Sequence, residues 1–447
     1  MTDTELPPQL RDPPRAGYQR YLILALITLV FALSSGDRAT LSVAGPGMAK
    51  SLGLSPVEMG WLFSGFAWAY VLAQLPGGRM VDLLGAKLSI FLSLTLWSLT
   101  TFATSGAGWY GSAFASVMLL RVLLGLFEAP VGPASGRVLA AWFPSTERGI
   151  GGSIFNSAQY LSLVIFTPFM GWLDHQFGWQ HIFSVMGVLG VILALVWYCL
   201  YYAPANHPKL TQGEFNYIQA GGALVELGQP GEAVKVARRP LGADLRAIFK
   251  SRMLVGIFLA QYCISAITWF FVSWFPTYLV KGRGFTMLEA SFIAALPAIC
   301  GCIGGVSTGF FSDWLLGRTG SLSLARKIPI TIGLALSALM IGCSFTDSGT
   351  LVIVLMCLSF FGKGFGSLGW TVVADTAPKE IVGLTGGVFN GLSNIAGITT
   401  PIVIGYLVSA TGSFNDALIY VGAHGLIAIL SFWLIVGRIE RLHVDSI

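Results

Sequence analysis

Three groups of ionisable residues stand where an apolar chain should carry none. Asp37 and Arg38 sit in "FALSSGDRATLSVAG", inside an apolar run that begins at Tyr21. Arg121 and Glu128 bracket Gly125 in "RVLLGLFEAP", and Lys363 lies between two glycines in "FFGKGFGSLGW". A charge at the centre of a membrane helix costs roughly 2.5–3.5 kcal/mol on insertion scales, so each of these residues needs a function that offsets the cost. An Arg holds a carboxylate through two parallel hydrogen bonds and stays charged while doing so. Burial favours the protonated form of a carboxyl group and a nearby Arg favours the ionised form, so an arriving anion that engages the Arg changes the protonation of the acid. The chemistry on offer is an anion receptor with exchangeable protons.

Spacing limits who can meet whom. Arg121, Gly125 and Glu128 fall at i, i+4 and i+7 and share one helical face. Arg121 and Glu128 are then about 10 Å apart along the axis. Asp37 and Arg38 point about 100° apart and cannot neutralise each other face to face. The expectation is that the first-span charges face span four across a wet cavity, so that the N-terminal half holds two acids and two bases. An ammonium at Lys363 needs an anion from elsewhere.

The elements that must position these groups are membrane helices. Of 447 residues, 54% are hydrophobic and 11% charged, against about 25% charged in soluble domains. Apolar runs long enough to span recur along the whole length. Six are expected near 19–44, 57–80, 86–106, 112–139, 148–172 and 180–203, and six more near 253–280, 288–316, 326–346, 350–374, 383–410 and 415–437. The chain therefore divides into a polar, Pro-rich and disordered tail (1–18), an N-terminal six-helix half (19–203), a polar central loop (204–252), a C-terminal six-helix half (253–437) and a short tail (438–447). The first apolar run lacks a leader's small-residue cleavage site and is expected to stay as the first span.

The net charge of +5 follows topology. Basic residues gather at Arg11, Arg15, Arg20, in "VARRPLGADLRAIFKSR", at Arg326–Lys327 and at Arg438 and Arg441, whereas the alternate loops hold little beyond Lys50, Lys281 and Arg283. That bias orients both termini to the cytoplasm and gives no reason to invoke a nucleic-acid partner. The six cysteines match no zinc or redox spacing and read as small packing residues; His175, His181 and His424 carry no metal spacing either. No metal is expected. The chain shows no zinc-binding His pair, no Ser nucleophile elbow and no nucleotide loop, so a membrane-embedded enzyme is not expected.

The two halves echo each other. "GGRMVDLLGAK" and "TGFFSDWLLGR" each place Gly four residues before Asp (Gly78–Asp82, Gly309–Asp313), and "GGSIFNSAQY" echoes "GGVFNGLSNI", aligning Gly171 with Gly405 farther on. An internal duplication of this kind places a solute site between the halves, near the bilayer midplane.

"GGRMVDLLGAK" resembles the signature between spans two and three of the major facilitator superfamily, departing at Leu83 and Ala86, where basic residues are common. "GDRATLSVAG", "AAWFPSTERG", "IFNSAQY", "FFGKGFGSLGW", "ADTAPKE" and "GSFNDALIYVG" extend the likeness to the anion:cation symporter branch, most closely its bacterial glucarate/galactarate permeases, from about Arg20 to Arg441. The resemblance implies an all-α membrane protein with twelve transmembrane helices in two pseudo-symmetric six-helix halves. It implies proton-coupled symport of a sugar-acid anion, a diacid such as D-glucarate or D-galactarate, in the bacterial inner membrane by a monomer. No cofactor beyond the coupling proton is expected. Alternatives are symport of galactonate, hexuronate or an aromatic carboxylate, or a sensor that does not transport.

By the same resemblance Asp37 and Glu128 bind protons, and Arg38 and Arg121 bind a substrate carboxylate or tune those acids. Lys363 is expected to take the second carboxylate of a diacid. Tyr70, Gln74, Asn156, Gln159, Tyr160, Asn390 and Asn394 offer amides and phenols suited to sugar hydroxyls, with Trp370 and Thr371 as further candidates. Asp82, Arg148, Asp313, Asp375 and Glu380 are expected at cytoplasmic helix ends, as gating ion pairs. One departure stands out: those permeases commonly read Phe-Asn-Tyr before Gly-Asp-Arg, where this chain has Leu33, Ser34 and Ser35. If that corner touches substrate, selectivity differs from the namesake diacids.

Overall fold

The computed structural model describes residues 17–109, 111–144, 147–225, 241–378 and 381–442. The expected disordered tail (1–16), a stretch of the central loop (226–240), Glu380 and the last five residues lie outside the described residues. Among the described residues all regular structure is helical.

In the N-terminal half, α1 (Gln19–Leu52) is followed by α2 (Pro56–Thr104), α3 (Ala113–Glu128), α4 (Val131–Trp142), α5 (Arg148–Phe177) and α6 (Trp179–Leu200). Two short helices follow, α7 (Gln212–Ala220) and α8 (Leu241–Lys250). The C-terminal half comprises α9 (Arg252–Ser273), the single turn α10 (Phe275–Thr277), α11 (Met287–Thr319), α12 (Leu322–Ala338), α13 (Gly349–Gly364), α14 (Leu368–Thr376), α15 (Val382–Thr411) and α16 (Asn415–Leu430). Among the described residues, ten helical segments are long and apolar enough to cross a membrane. The stretch of α2 before Pro76 and the whole of α5 are not among them.

Two sequence expectations need correction. Spans two and three are not joined by a loop: α2 runs helical through "GGRMVDLL", and only Gly85 leaves helical geometry (φ 75°, ψ 166°). A positive φ is open to glycine without the Cβ clash other residues meet, so one residue turns the chain. Span four is broken. α3 stops at Glu128 and α4 starts at Val131, across Ala129 and Pro130, because a proline ring blocks the preceding turn's hydrogen bonding. Span ten breaks at the matching place, where α13 ends at Gly364 and a short 3₁₀ turn (Phe365–Ser367) leads into α14.

The duplication reaches the hairpins that start the second span of each half. Gly53 (φ 67°) ends α1, and Ser55 and Glu58 form a reciprocal capping box at the start of α2. Gly284 (φ 75°), Thr286 and Glu289 repeat this at α11. A hydroxyl that takes one free helical N–H, while a carboxylate three residues on takes another, fixes the helix start.

The halves meet along two helix pairs related by the same echo, α2 against α15 and α5 against α11. A Cβ on Gly60 would lie 2.7 Å from the Pro401 carbonyl, and one on Gly405 equally close to that of Pro56. In the other pair, a Cβ on Gly171 would overlap the Ser291 side chain at 2.2 Å. Ser42 Oγ of α1 donates to the Ser273 carbonyl at 2.8 Å. These contacts lie toward the Leu52–Pro56 end, away from the termini.

At the opposite end, α7 is strapped to the N-terminal half. The buried Glu214 carboxylate accepts from Gln19 N, Arg20 N and Arg20 Nη1, and Arg20 Nε donates to Glu147 at 2.9 Å. Tyr217 donates to Glu147 at 2.6 Å, and this bond to a carboxylate holds the phenol's pKa above its usual value. α8 instead packs on α9.

Candidate functional site

Glycines set how closely the site helices approach. A Cβ on Gly125 would lie 2.2 Å from the Phe66 carbonyl, so α3 packs backbone to backbone on α2 at the level between Arg121 and Glu128. A Cβ on Gly36 would lie 2.9 Å from the Phe166 ring, so this glycine of α1 makes room for an aromatic side chain of α5.

There the two neighbours diverge. Arg38 turns toward α3: its Nε and Nη2 donate to Glu128 Oε1 at 2.8 and 2.6 Å. Asp37 turns the other way, and its Oδ2 accepts from the Trp97 indole N–H at 2.8 Å. Asp37 is 0% exposed, Glu128 1% and Arg121 4%, whereas the Arg38 side chain keeps 22%. Phe66 and Tyr70 stack with ring centroids 5.1 Å apart, under both guanidinium groups. Arg38 lies 5.2 and 5.0 Å from the two centroids and Arg121 lies 5.7 Å from Phe66, close enough for cation–π attraction.

Pairing is incomplete. Glu128 Oε2, Asp37 Oδ1 and Arg121 Nε are buried with no hydrogen-bond partner among the described residues. Arg121 feels Glu128 and Asp37 electrostatically, but no ion pair joins it to a carboxylate among the described residues. A buried guanidinium left in this state costs several kcal/mol unless an anion joins it.

Lys363 approaches from the other half. Its Nζ lies 5.1 Å from the Phe360 centroid and 5.4 Å from that of Tyr160, which belongs to α5. No carboxylate pairs with it among the described residues. A cavity at the seam is lined by Ala39, Ser42, Leu163, Thr167, Pro297 and Phe360 among others. The charged groups are not themselves in this lining; Ala39 adjoins Arg38, and Phe360 precedes Lys363 by about one turn.

The remaining candidates divide. Asn390 and Asn394 are joined, the Asn394 amide donating to the Asn390 carbonyl at 2.9 Å and to its Oδ1 at 3.3 Å. Asn156 and Gln159 are exposed and donate to carbonyls of their own helix, Gly152 at 2.8 Å and Asn156 at 3.2 Å. Gln74 and Thr371 are half-buried. Trp370 is exposed and packs edge-on against Phe389. Among the expected gating residues, Asp82 accepts from Arg137 at 3.0 Å, and Arg326 bridges Asp375 at 2.9 Å and Asp313 at 3.7 Å. Arg148 pairs with no carboxylate among the described residues; it donates to the carbonyls of Ala140, Phe143 and Gly222. His424 is buried against the Tyr420 carbonyl at 2.8 Å. No group of metal-ligating side chains occurs among the described residues.

Sequence reasoning missed Trp97 entirely, and it gave Ser34 no role beyond a corner whose contact with substrate was left open. Ser34 is buried, and its hydroxyl donates to Glu128 Oε1 at 2.6 Å. It missed a polar group in the C-terminal half as well: Tyr262 with Thr399 (2.7 Å), Ser265 with Ser393 (2.5 Å), and Gln261, whose Oε1 is buried without a partner among the described residues. Nothing in one sequence marks which Ser or Trp of an apolar span turns inward.

Residues 27–325 match the family model of the Major Facilitator Superfamily. The chain is 49% identical to the probable galactarate/D-glucarate transporter of Escherichia coli (strain K12) over 434 residues, covering 96% of each protein. It is 50% identical over 425 residues to the probable galactarate/D-glucarate transporter of Bacillus subtilis (strain 168), covering 95% of this chain and 93% of the other. In fold it is similar to a bacterial homologue of the human lysosomal transporter Spinster in an inward-facing and occupied conformation. That match has a TM-score of 0.72 at 16% identity, over 94% of this chain and 97% of the other.

Proposed function

Since this chain belongs to the Major Facilitator Superfamily, we propose that it imports a sugar diacid of the galactarate/D-glucarate kind together with protons, by alternating access between its two halves. The observation that carries this reading is a pair of cations without carboxylates among the described residues, Arg121 in one half and Lys363 in the other, set on either side of the seam. A diacid supplies two carboxylates at opposite ends and so satisfies both. The names of the relatives support the substrate class.

Proton coupling follows from competition for Arg38. With no substrate, Arg38 neutralises Glu128. When the substrate carboxylate that joins Arg121 also draws Arg38 to itself, the buried Glu128 is left without its counter-charge and takes a proton instead. Asp37, held by a neutral indole, is the second acid. Occupancy by both halves then favours the state in which the inner ends come together. In this reading the stretch of α2 before Pro76 and all of α5 also span, giving twelve transmembrane helices, with the protein a monomer in the bacterial inner membrane. Both termini are cytoplasmic by the loop charges, and the seam closed away from the termini makes this an inward-facing state.

Reconstituted protein tests it. Wild type accumulates D-glucarate under an inward proton gradient, whereas Glu128→Gln loses that uptake and keeps counterflow of labelled D-glucarate. Normal proton-driven uptake in Glu128→Gln refutes the coupling role, and absence of D-glucarate counterflow in wild type refutes the substrate.

A further inference from the structure

Glu128 carries its hydrogen bonds unevenly. Oε1 accepts three, from Ser34 Oγ (2.6 Å), Arg38 Nε (2.8 Å) and Arg38 Nη2 (2.6 Å). Oε2 is equally buried and accepts none among the described residues. Ionisable or charged groups around this carboxylate are Arg38 and Asp37 from α1, Tyr70 from α2, and Arg121 from its own helix α3. Only the Arg38 donors and Ser34 reach it directly among the described residues.

We propose that Ser34 is a positioning residue for proton uptake, holding Glu128 by Oε1 so that Oε2 receives the proton. The inference rests on reading Glu128 as a proton carrier. When Arg38 turns to a substrate carboxylate, two of the three bonds to Oε1 go with it, and the Ser34 hydroxyl is the donor that remains. A carboxyl group freed of all three donors rotates about its terminal torsion, which is soft and roughly two-fold. With Ser34 in place it keeps its plane, and the bare oxygen stays where the proton arrives. Oε2 takes one proton from the aqueous phase and becomes a hydroxyl, Oε1 becomes the carbonyl oxygen and still accepts from Ser34, and Arg38 keeps its charge and pairs with the substrate carboxylate. Ser34 is also one of the positions at which this chain departs from the permeases it resembles. Its hydroxyl meets the acid, so the departure acts on coupling and leaves selectivity to other residues.

The pH dependence of proton-driven D-glucarate uptake in proteoliposomes tests this, with the D-glucarate to D-galactonate uptake ratio measured alongside. Loss of a donor to a charged acceptor disfavours the ionised acid. Ser34→Ala is therefore expected to move the acid-side midpoint upward by about one pH unit, while Ser34→Thr, which keeps the hydroxyl, holds the midpoint of the parent. The selectivity ratio stays constant in both. An unmoved midpoint in a folded Ser34→Ala protein overturns the proposal, as does a changed selectivity ratio with no shift. Glu128→Gln measured in parallel separates the two layers: if it retains proton-driven uptake, the reading of Glu128 itself is wrong, whatever Ser34 does.

Discussion

The two halves of this molecule share a scaffold and differ in chemistry. Each has a positive-φ glycine and a capping box ahead of its second span, and a break in its fourth span, after Glu128 in one and after Lys363–Gly364 in the other. Yet the N-terminal half carries two acids and two bases within one cluster, whereas the C-terminal half sets the Lys363 ammonium beside aromatic rings and pairs its amides and hydroxyls with one another. A half that contains its own counter-charges can titrate. A half whose Lys363 has no carboxylate partner among the described residues can only wait for an anion. The duplication thus supplies matched hinges and contact surfaces, and the proton and anion roles are divided between the copies.

The strongest way to break this division is at Lys363. Lys363→Ala is expected to weaken D-glucarate uptake roughly 30-fold or more, since truncating one partner of a buried charge pair costs about 2–5 kcal/mol. The monoacid D-galactonate should lose far less. Equal losses for the two anions, measured as kcat/KM, would mean that the C-terminal half does not read the second carboxylate.

A smaller effect is expected where the halves touch. Gly405→Val places atoms against the Pro56 carbonyl, and overpacking of this kind costs about 1–3 kcal/mol. The balance between states should move away from the described one by about tenfold. A cysteine at Thr277, in a background free of the six native thiols, should then react faster with an impermeant reagent added on the far side. Unchanged labelling would show that the contact does not hold the halves together. The mildest prediction concerns neutral polar groups. Asn394→Ala removes the amide that donates to Asn390, and a net hydrogen bond of about 0.5–1.5 kcal/mol predicts a fall in D-glucarate affinity of roughly 3- to 10-fold, read by thermal shift.

Much of this was legible in the sequence for a physical reason. Apolar runs, interior charges and repeated Gly–Asp motifs are local patterns, and the i, i+4, i+7 spacing of Arg121, Gly125 and Glu128 set one face, which is the buried face of α3. The pattern Gly-x-Ser/Thr-x-x-Glu, present as "GLSPVE" and "GFTMLE", carries the signal of the duplicated hairpin in local capping chemistry. What stayed hidden depends on rotation about the helix axis. Asp37 turns to Trp97 while its neighbour turns to Glu128, and Ser34 turns inward, because partners sixty to ninety-four residues away set their direction. The elbow at Gly85 was hidden for a different reason: a glycine in a polar stretch suits a loop as well as a single positive-φ residue.

The smooth backbone contact of Gly60 with Gly405 has a mechanical consequence. Knobs locked into holes must be pulled apart before two bodies can tilt, whereas bare main chain lets one body roll over the other like a bearing. Such a fulcrum stores little energy of its own, so the cargo, and not the pivot, decides which way the machine leans.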